Sequence, residues 1–277
     1  DMVTESPLME QIRTAERFIR SRSQVEPRVG LILGTGLGNV SELLEGPVRI
    51  PFEEIPGFAV STAESHAGNL VLGRIRKTPV VAMEGRVHFY EGYSMREVTF
   101  PVRVMRALGA RDLIVTNAVG GMNPHFAPGD IVVVTDHINL MGDNPLVGPN
   151  DPELGPRFPD MSEPYARKLV ELAEEIALEE RIPLKPAVFV AVAGPNLETR
   201  AEYRFLRGIG ADVVGMSLVP ETIVAVHGGM RVLAFSVVTD ACFPDALEPV
   251  DIARILANAA SAEPALRKLV TRIVDRL

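Results

Sequence analysis

The sequence predicts a single α/β domain over residues 1–277, with a central mixed β-sheet flanked by helices. Three observations predict it. Short apolar runs rich in β-branched residues recur along the chain. Helical patterns fall between them. No repeat, charge block or low-complexity linker divides the 277 residues, a length that suits one large domain.

The elements follow in order. A short helical segment is expected at about residues 7–22. The expected strands are Val29–Leu33, Leu70–Ile75, Val80–Met83, Leu113–Asn117, Ile131–Asp136, Val188–Val192, Val213–Met216 and Val232–Val238. Several are apolar at every position, the pattern of strands covered on both faces. Met141–Pro159 is rich in Pro, Gly, Asn and Asp and reads as a long loop, a kind of segment that is usually functional or mobile. Ser162 is the expected N-cap of the next helix, with Glu163 and Pro164 in its first turn. Leu169, Leu172, Ala173, Ile176 and Ala177 then share one helical face. Glu198–Ile209 and Val250–Ala260 also read as helices.

Composition removes several classes of function. Hydrophobic residues at 47% and charged residues at 23% describe a folded globular chain. The net charge of −8, with no Lys/Arg-rich stretch, argues against a nucleic-acid partner, which needs a basic surface. No apolar run reaches the ~20 residues of a membrane span, and no secretory signal core stands at the N-terminus. One cysteine, Cys242, allows no intrachain disulfide and fits a reducing cytoplasm. The five histidines and the cysteine lack zinc-site spacing, so no metal is expected.

The chemistry-bearing residues gather at expected strand ends. Gly34-Thr35-Gly36-Leu37-Gly38 follows the first strand; such a turn exposes N–H groups that hold an anion, or simply joins strand to helix. Its spacing matches neither the dinucleotide fingerprint nor the P-loop. Arg86 and His88 are two residues apart, so an extended chain puts both on one side, where they form an oxyanion clamp. A surface arginine beside a structural histidine is the plainer alternative. Asn117, Ala118, Gly120 and Gly121 end another strand, and small residues there let a substrate lie against the backbone. Glu198, Met216, Ser217 and Asp240 close the last strands. They supply an apolar wall and polar partners for a heterocycle edge. Taken singly, Glu198 reads as a first-turn acid, Met216 as core and Asp240 as an N-cap.

These segments together resemble the trimeric, low-molecular-mass purine nucleoside phosphorylases. The resemblance runs from about Val29 to the helix after Pro249. It is carried by Gly34–Gly38, Gly85-Arg86-Val87-His88-Phe89-Tyr90-Glu91-Gly92-Tyr93, Thr116–Gly121, Asp136-His137-Ile138-Asn139, Gly194-Pro195-Asn196-Leu197-Glu198-Thr199 and Gly215-Met216-Ser217, in family order. It implies a homotrimer and a mixed sheet of roughly nine or ten strands. It implies a phosphate site on Thr35, Arg86, His88, the Ala118 backbone N–H and Ser217, with His66 close by. The ribose would meet Tyr90 and Met216. The base would meet Glu198 and Asp240, with Asn117 near and Leu197 as an apolar wall. Relatives cover the ribose with an aromatic from the neighbouring subunit, and the matching position here is Leu154. They place a histidine against the ribose 5′-hydroxyl, where this chain has Ile252.

The implied reaction is phosphorolysis, with inorganic phosphate as co-substrate and no cofactor. His88, Glu198 and Asp240 are the expected catalytic groups. Family members handling 6-oxopurines usually carry Asn at the position of Asp240. An ionised Asp there suits a 6-amino group, while a protonated one donates to the purine N7. Glu198 instead suits the N1–H and 2-amino group of guanine. An apolar Ile252 favours a 5′-deoxy or 5′-methylthio substrate. Adenosine or 5′-methylthioadenosine therefore stands as the alternative to 6-oxopurine nucleosides. A phosphate-independent nucleoside hydrolase and a non-enzymatic nucleotide-binding module are the readings from other classes.

Overall fold

A computed structural model of the chain describes residues 5–34, 42–61 and 68–277. Nine strands are present among them: β1 (Val29–Leu33), β2 (Glu45–Pro51), β3 (Asn69–Ile75), β4 (Thr78–Glu84), β5 (Asp112–Gly121), β6 (Ile131–Leu140), β7 (Lys185–Val192), β8 (Val213–Gly215) and β9 (Arg231–Ala241). They form one mixed sheet in the order β2-β3-β4-β1-β5-β8-β7-β6-β9. An added parallel pairing of β5 with β9 closes the last five strands into a barrel. The expected α/β class with a mixed sheet is what the chain adopts.

Burial on both faces explains the apolar strands. Val29, Leu31 and Leu33 point to one side of β1 and Ile32 to the other, following the two-residue period of a strand. Helices α1 (Pro7–Arg22), α2 (Met95–Leu108) and α5 (Val219–His227) cover one face; α3 (Arg167–Glu179) and α6 (Ile252–Asp275) cover the other. Phe189 and Phe235 are fully enclosed in these two layers; truncating either to Ala costs about 3–5 kcal/mol. The remaining helix, α4 (Arg200–Gly208), packs Tyr203 and Leu206 against Val190, Val214 and Cys242.

Several boundaries differ from the sequence reading, among them that of α6, which starts at Ile252 behind its N-cap Asp251, not at Val250, and runs on past Ala260 to Asp275. β2 went unforeseen because it is an antiparallel edge strand with mostly exposed residues and no apolar run. Helix α3 starts at Arg167, not after Ser162. The Ser162 N–H donates to Asp160 Oδ1 in a turn, and the Glu163 carboxylate reaches forward to accept from the Arg167 N–H. Helix α4 starts at Arg200 because Thr199 is its N-cap, with Glu202 completing a reciprocal capping box. Glu198 therefore lies outside the helix, and its side chain is not a first-turn acid.

Candidate active site

The ends of six strands converge on one cavity of about 230 Å³. Gly34 after β1, Arg86 and His88 after β4, and Asn117 to Gly120 in β5 line it. Glu198 after β7, Met216 and Ser217 after β8, and Thr239 and Asp240 in β9 complete the lining. Thr35 and His66 lie outside the described residues. Gly34 itself has a packing reason: a Cβ there would lie 2.7 Å from the Thr116 carbonyl oxygen, so only glycine lets β1 end against β5.

One end of the cavity is a donor site. Arg86 is 7% exposed and ion-pairs with Glu221, a buried carboxylate on α5. The arginine's Nε and Nη1 are buried with no hydrogen-bond partner among the described residues. A guanidinium held from behind by a carboxylate, with further donors to offer, suits an oxyanion. His88 lies beside it and stacks on Tyr90, ring centroids 4.8 Å apart. Burial, followed by the Arg86 charge, lowers the His88 pKa from 6.5 to about 4. It is therefore a neutral imidazole at neutral pH, a hydrogen-bonding group without a second positive charge.

Ser217 reaches this end through an unusual turn. Antiparallel pairing of Gly120 with Val214 and Gly121 with Val213 sends the chain after β8 back along β5. Leu218 then takes φ 73° and ψ −55°, and the Val219 N–H donates to the Ser217 carbonyl. This is a γ-turn in the strained, positive-φ form, and non-glycine residues held so cluster at functional sites. Sequence reading missed both this turn and Glu221. A buried acid inside an apolar helical run was the one available signal.

The opposite end carries two carboxylates. Asp240 is aimed by a β-bulge: Val119 pairs with Val238, but Gly120 pairs with Asp240, so Thr239 is the extra residue. Thr239 Oγ donates to Asp240 Oδ1 at 2.9 Å and Cys242 Sγ donates to Oδ2 at 3.2 Å. Burial raises the Glu198 pKa, partly opposed by hydrogen bonds from its own backbone and from Tyr203. Between the two ends, Asn117 Oδ1 accepts from Ser236 Oγ at 2.5 Å, and its Nδ2 is a buried donor with no partner among the described residues. Leu197 and Ile255 add apolar wall.

Strand ends that build an anion clamp facing a pair of carboxylates match a known architecture. The model of the phosphorylase superfamily matches residues 28–275. The chain belongs to that superfamily. Purine nucleoside phosphorylase 1 of Bacillus subtilis (strain 168) is 51% identical over 267 residues, covering 96% of this chain and 98% of that protein. Isoform 2 of purine nucleoside phosphorylase from Schistosoma mansoni, solved with cytosine and ribose-1-phosphate, superposes with a TM-score of 0.93 at 41% identity, covering 97% of this chain and 96% of that one. A Schistosoma mansoni purine nucleoside phosphorylase solved with inosine gives a TM-score of 0.93 at 37% identity over 97% of each chain.

Within this superfamily member the site residues expected from sequence divide into two groups. Arg86, His88, Tyr90, Asn117, Ala118, Leu197, Glu198, Met216, Ser217 and Asp240 all line the one cavity. Ile252 does not. It is 62% exposed at the start of α6, and Ile255, about one helical turn further on, lines the cavity instead. Leu154 also departs from expectation. It is 3% exposed, packed into its own subunit's core, so its side chain is not available to cover a neighbour's ribose. Among the described residues no group of three or more His, Cys, Asp or Glu side chains could hold a metal ion, and no helix is long and apolar enough to cross a membrane.

Proposed function

We propose that this chain cleaves the N-glycosidic bond of purine nucleosides with inorganic phosphate, releasing the free base and a pentose 1-phosphate. The observation that carries the reading is the polarity of the cavity. A buried arginine with unused donors stands at one end and two carboxylates at the other. Phosphate is held by Arg86, His88, Ser217 and the Ala118 N–H, with Thr35 and His66 assigned to the same site from the sequence. The ribose lies between, against Tyr90 and Met216. The base meets Glu198 and Asp240, with Asn117 and Leu197 beside it.

The chemistry follows from charge. The glycosidic bond breaks with positive charge growing on the anomeric carbon. The bound phosphate stabilises that charge and then captures the carbon, so configuration inverts. Neutral His88 can donate a hydrogen bond to the phosphate while leaving its negative charge available for this task. At the other end, Asn117 Nδ2 is a donor for the departing purine, whose negative charge builds on its imidazole ring. No enzyme nucleophile is required.

A second reading concerns the base. Both Asp240 oxygens accept hydrogen bonds from protein donors, which suits a 6-amino purine. Steady-state rates on inosine, guanosine, adenosine and 5′-methylthioadenosine, with and without phosphate, test both readings. Turnover that persists unchanged without phosphate would refute phosphorolysis. Inactivity on inosine and guanosine with activity on adenosine would select the 6-amino reading. We further take the protein to be a cytoplasmic homotrimer, on the resemblance and the single buried cysteine. Sedimentation equilibrium tests the trimer.

A further inference from the structure

Tyr203 and Cys242 have no role in the mechanism so far, yet they stand beside its two carboxylates. Cys242 follows the β9 bulge and is buried between α4 and β5. A Cβ on Gly120 would come within 2.7 Å of its sulfur, so glycine at that place in β5 leaves the thiol its room. The thiol lies 3.2 Å from Asp240 Oδ2. Tyr203, 3% exposed on α4 and lining the cavity, packs with Cys242 in one cluster, and its side chain acts as a donor that opposes the rise in the Glu198 pKa. Tyr203 thus attends Glu198, while Cys242 and Thr239 attend Asp240. Burial first, then the neighbouring carboxylate, raises the thiol pKa, and burial raises that of the Tyr203 hydroxyl. Each group therefore keeps its one proton, the thiol giving its own to Asp240 and the phenol to Glu198.

We infer that Tyr203 and Cys242 are positioning residues that set the purine preference: Tyr203 holds Glu198 while Cys242 holds Asp240 and presents it to the cavity as an acceptor, which favours a 6-amino nucleoside over a 6-oxo one. The inference rests on the assignment of Glu198 and Asp240 to the base. The direction follows from donor and acceptor matching. An Asp240 whose two oxygens already accept from Thr239 and Cys242 repels a 6-oxygen and receives a 6-amino group. Without the thiol, Oδ2 loses the donor that holds it in place as an acceptor for the 6-amino group.

The test is kcat/KM for adenosine and inosine at saturating phosphate in the full-length protein and four variants. Cys242→Ala is expected to lower the adenosine-to-inosine ratio about fivefold, the size of one weak hydrogen bond to a charged acceptor. Cys242→Ser restores a donor and returns the ratio to within about twofold of the parent. Tyr203→Phe removes a donor from Glu198, so the acidic limb of the inosine kcat/KM profile moves to higher pH. The KM for phosphate stays unchanged in all three. Asp240→Asn separates the two levels of the argument. If it leaves the ratio unmoved, the base-end assignment and this inference both fall. If it raises inosine use while Cys242→Ala leaves the ratio unchanged, only this inference falls. A serine variant as impaired as the alanine variant, or a parent with no detectable adenosine turnover, also overturns it. Should Cys242→Ala fail to fold, the Cys242→Ser ratio and the Tyr203→Phe pH limb decide.

Discussion

The two ends of the cavity are built on different principles. At the end proposed for phosphate the charge is fixed by permanent partners: Arg86 is backed by buried Glu221, and His88 is kept neutral by its surroundings. At the end proposed for the base, neutral donors hold the carboxylates: Tyr203 beside Glu198, and Cys242 and Thr239 on Asp240. A fixed end suits a co-substrate that never changes. Carboxylates held by neutral donors let neighbouring residues alter which base is accepted without touching the anion clamp.

Four predictions break or sharpen this contrast. Arg86→Ala is expected to reduce kcat/KM for phosphate by about 10³-fold, the scale of losing a donor aimed at developing charge. Affinity for the free base should change by less than about threefold. Equal losses in both would abolish the distinction between the ends. Glu221→Ala leaves the Arg86 guanidinium buried and uncompensated, and should cost about 3–5 kcal/mol in urea unfolding. Because phosphate then supplies the missing negative charge, added phosphate should raise Tm more in this variant than in the parent.

The third prediction concerns pH. The His88 pKa is lowered in the folded protein, from 6.5 to about 4. Between those values the unfolded chain takes up a proton that the folded one resists. The stability from neutral His88 is therefore complete above about pH 6.5 and is lost as pH falls towards 4, on the order of 2–3 kcal/mol. His88→Gln should flatten that part of the stability profile. It will not remove the slope, since burial also lowers the pKa of His137 and His227. A variant whose Tm falls as steeply as the parent's between pH 6.5 and 4 would show that His88 is not held neutral. The smallest effect is expected where two positions on α6 are compared. Ile255→Ala, on the cavity wall, should raise the nucleoside KM about tenfold. Ile252→Ala, in solvent, should leave it within about twofold.

Much of this molecule was legible from pattern. The eight apolar runs fall on eight of the nine strands, because a strand covered on both faces must be apolar throughout. β2 escaped because an exposed edge strand carries no such signature. The residues Arg86, His88, Asn117, Glu198 and Ser217 stood out because their motifs keep family order, and Asp240 because it replaces the Asn usual in relatives that handle 6-oxopurines. Leu154 lies in the long loop and Ile252 follows another, and a resemblance in sequence does not carry the orientation of a side chain. A few residues along a helix separate Ile252 in solvent from Ile255 in the cavity, and Leu154 turns into the core under α1.

By itself, then, the sequence determined the α/β class, most strands, the family and the residue types of both cavity ends. These depend on local periodicity and on motifs a few residues long. Only the tertiary structure decided that Glu221 stands behind Arg86, 135 residues away in the chain. Only it showed that a one-residue bulge aims Asp240, and that Tyr203 and Cys242 lie between the two carboxylates. Those facts depend on strand register and on helices docking against a sheet. They belong to pairs of residues far apart in sequence, whose meeting no local pattern records.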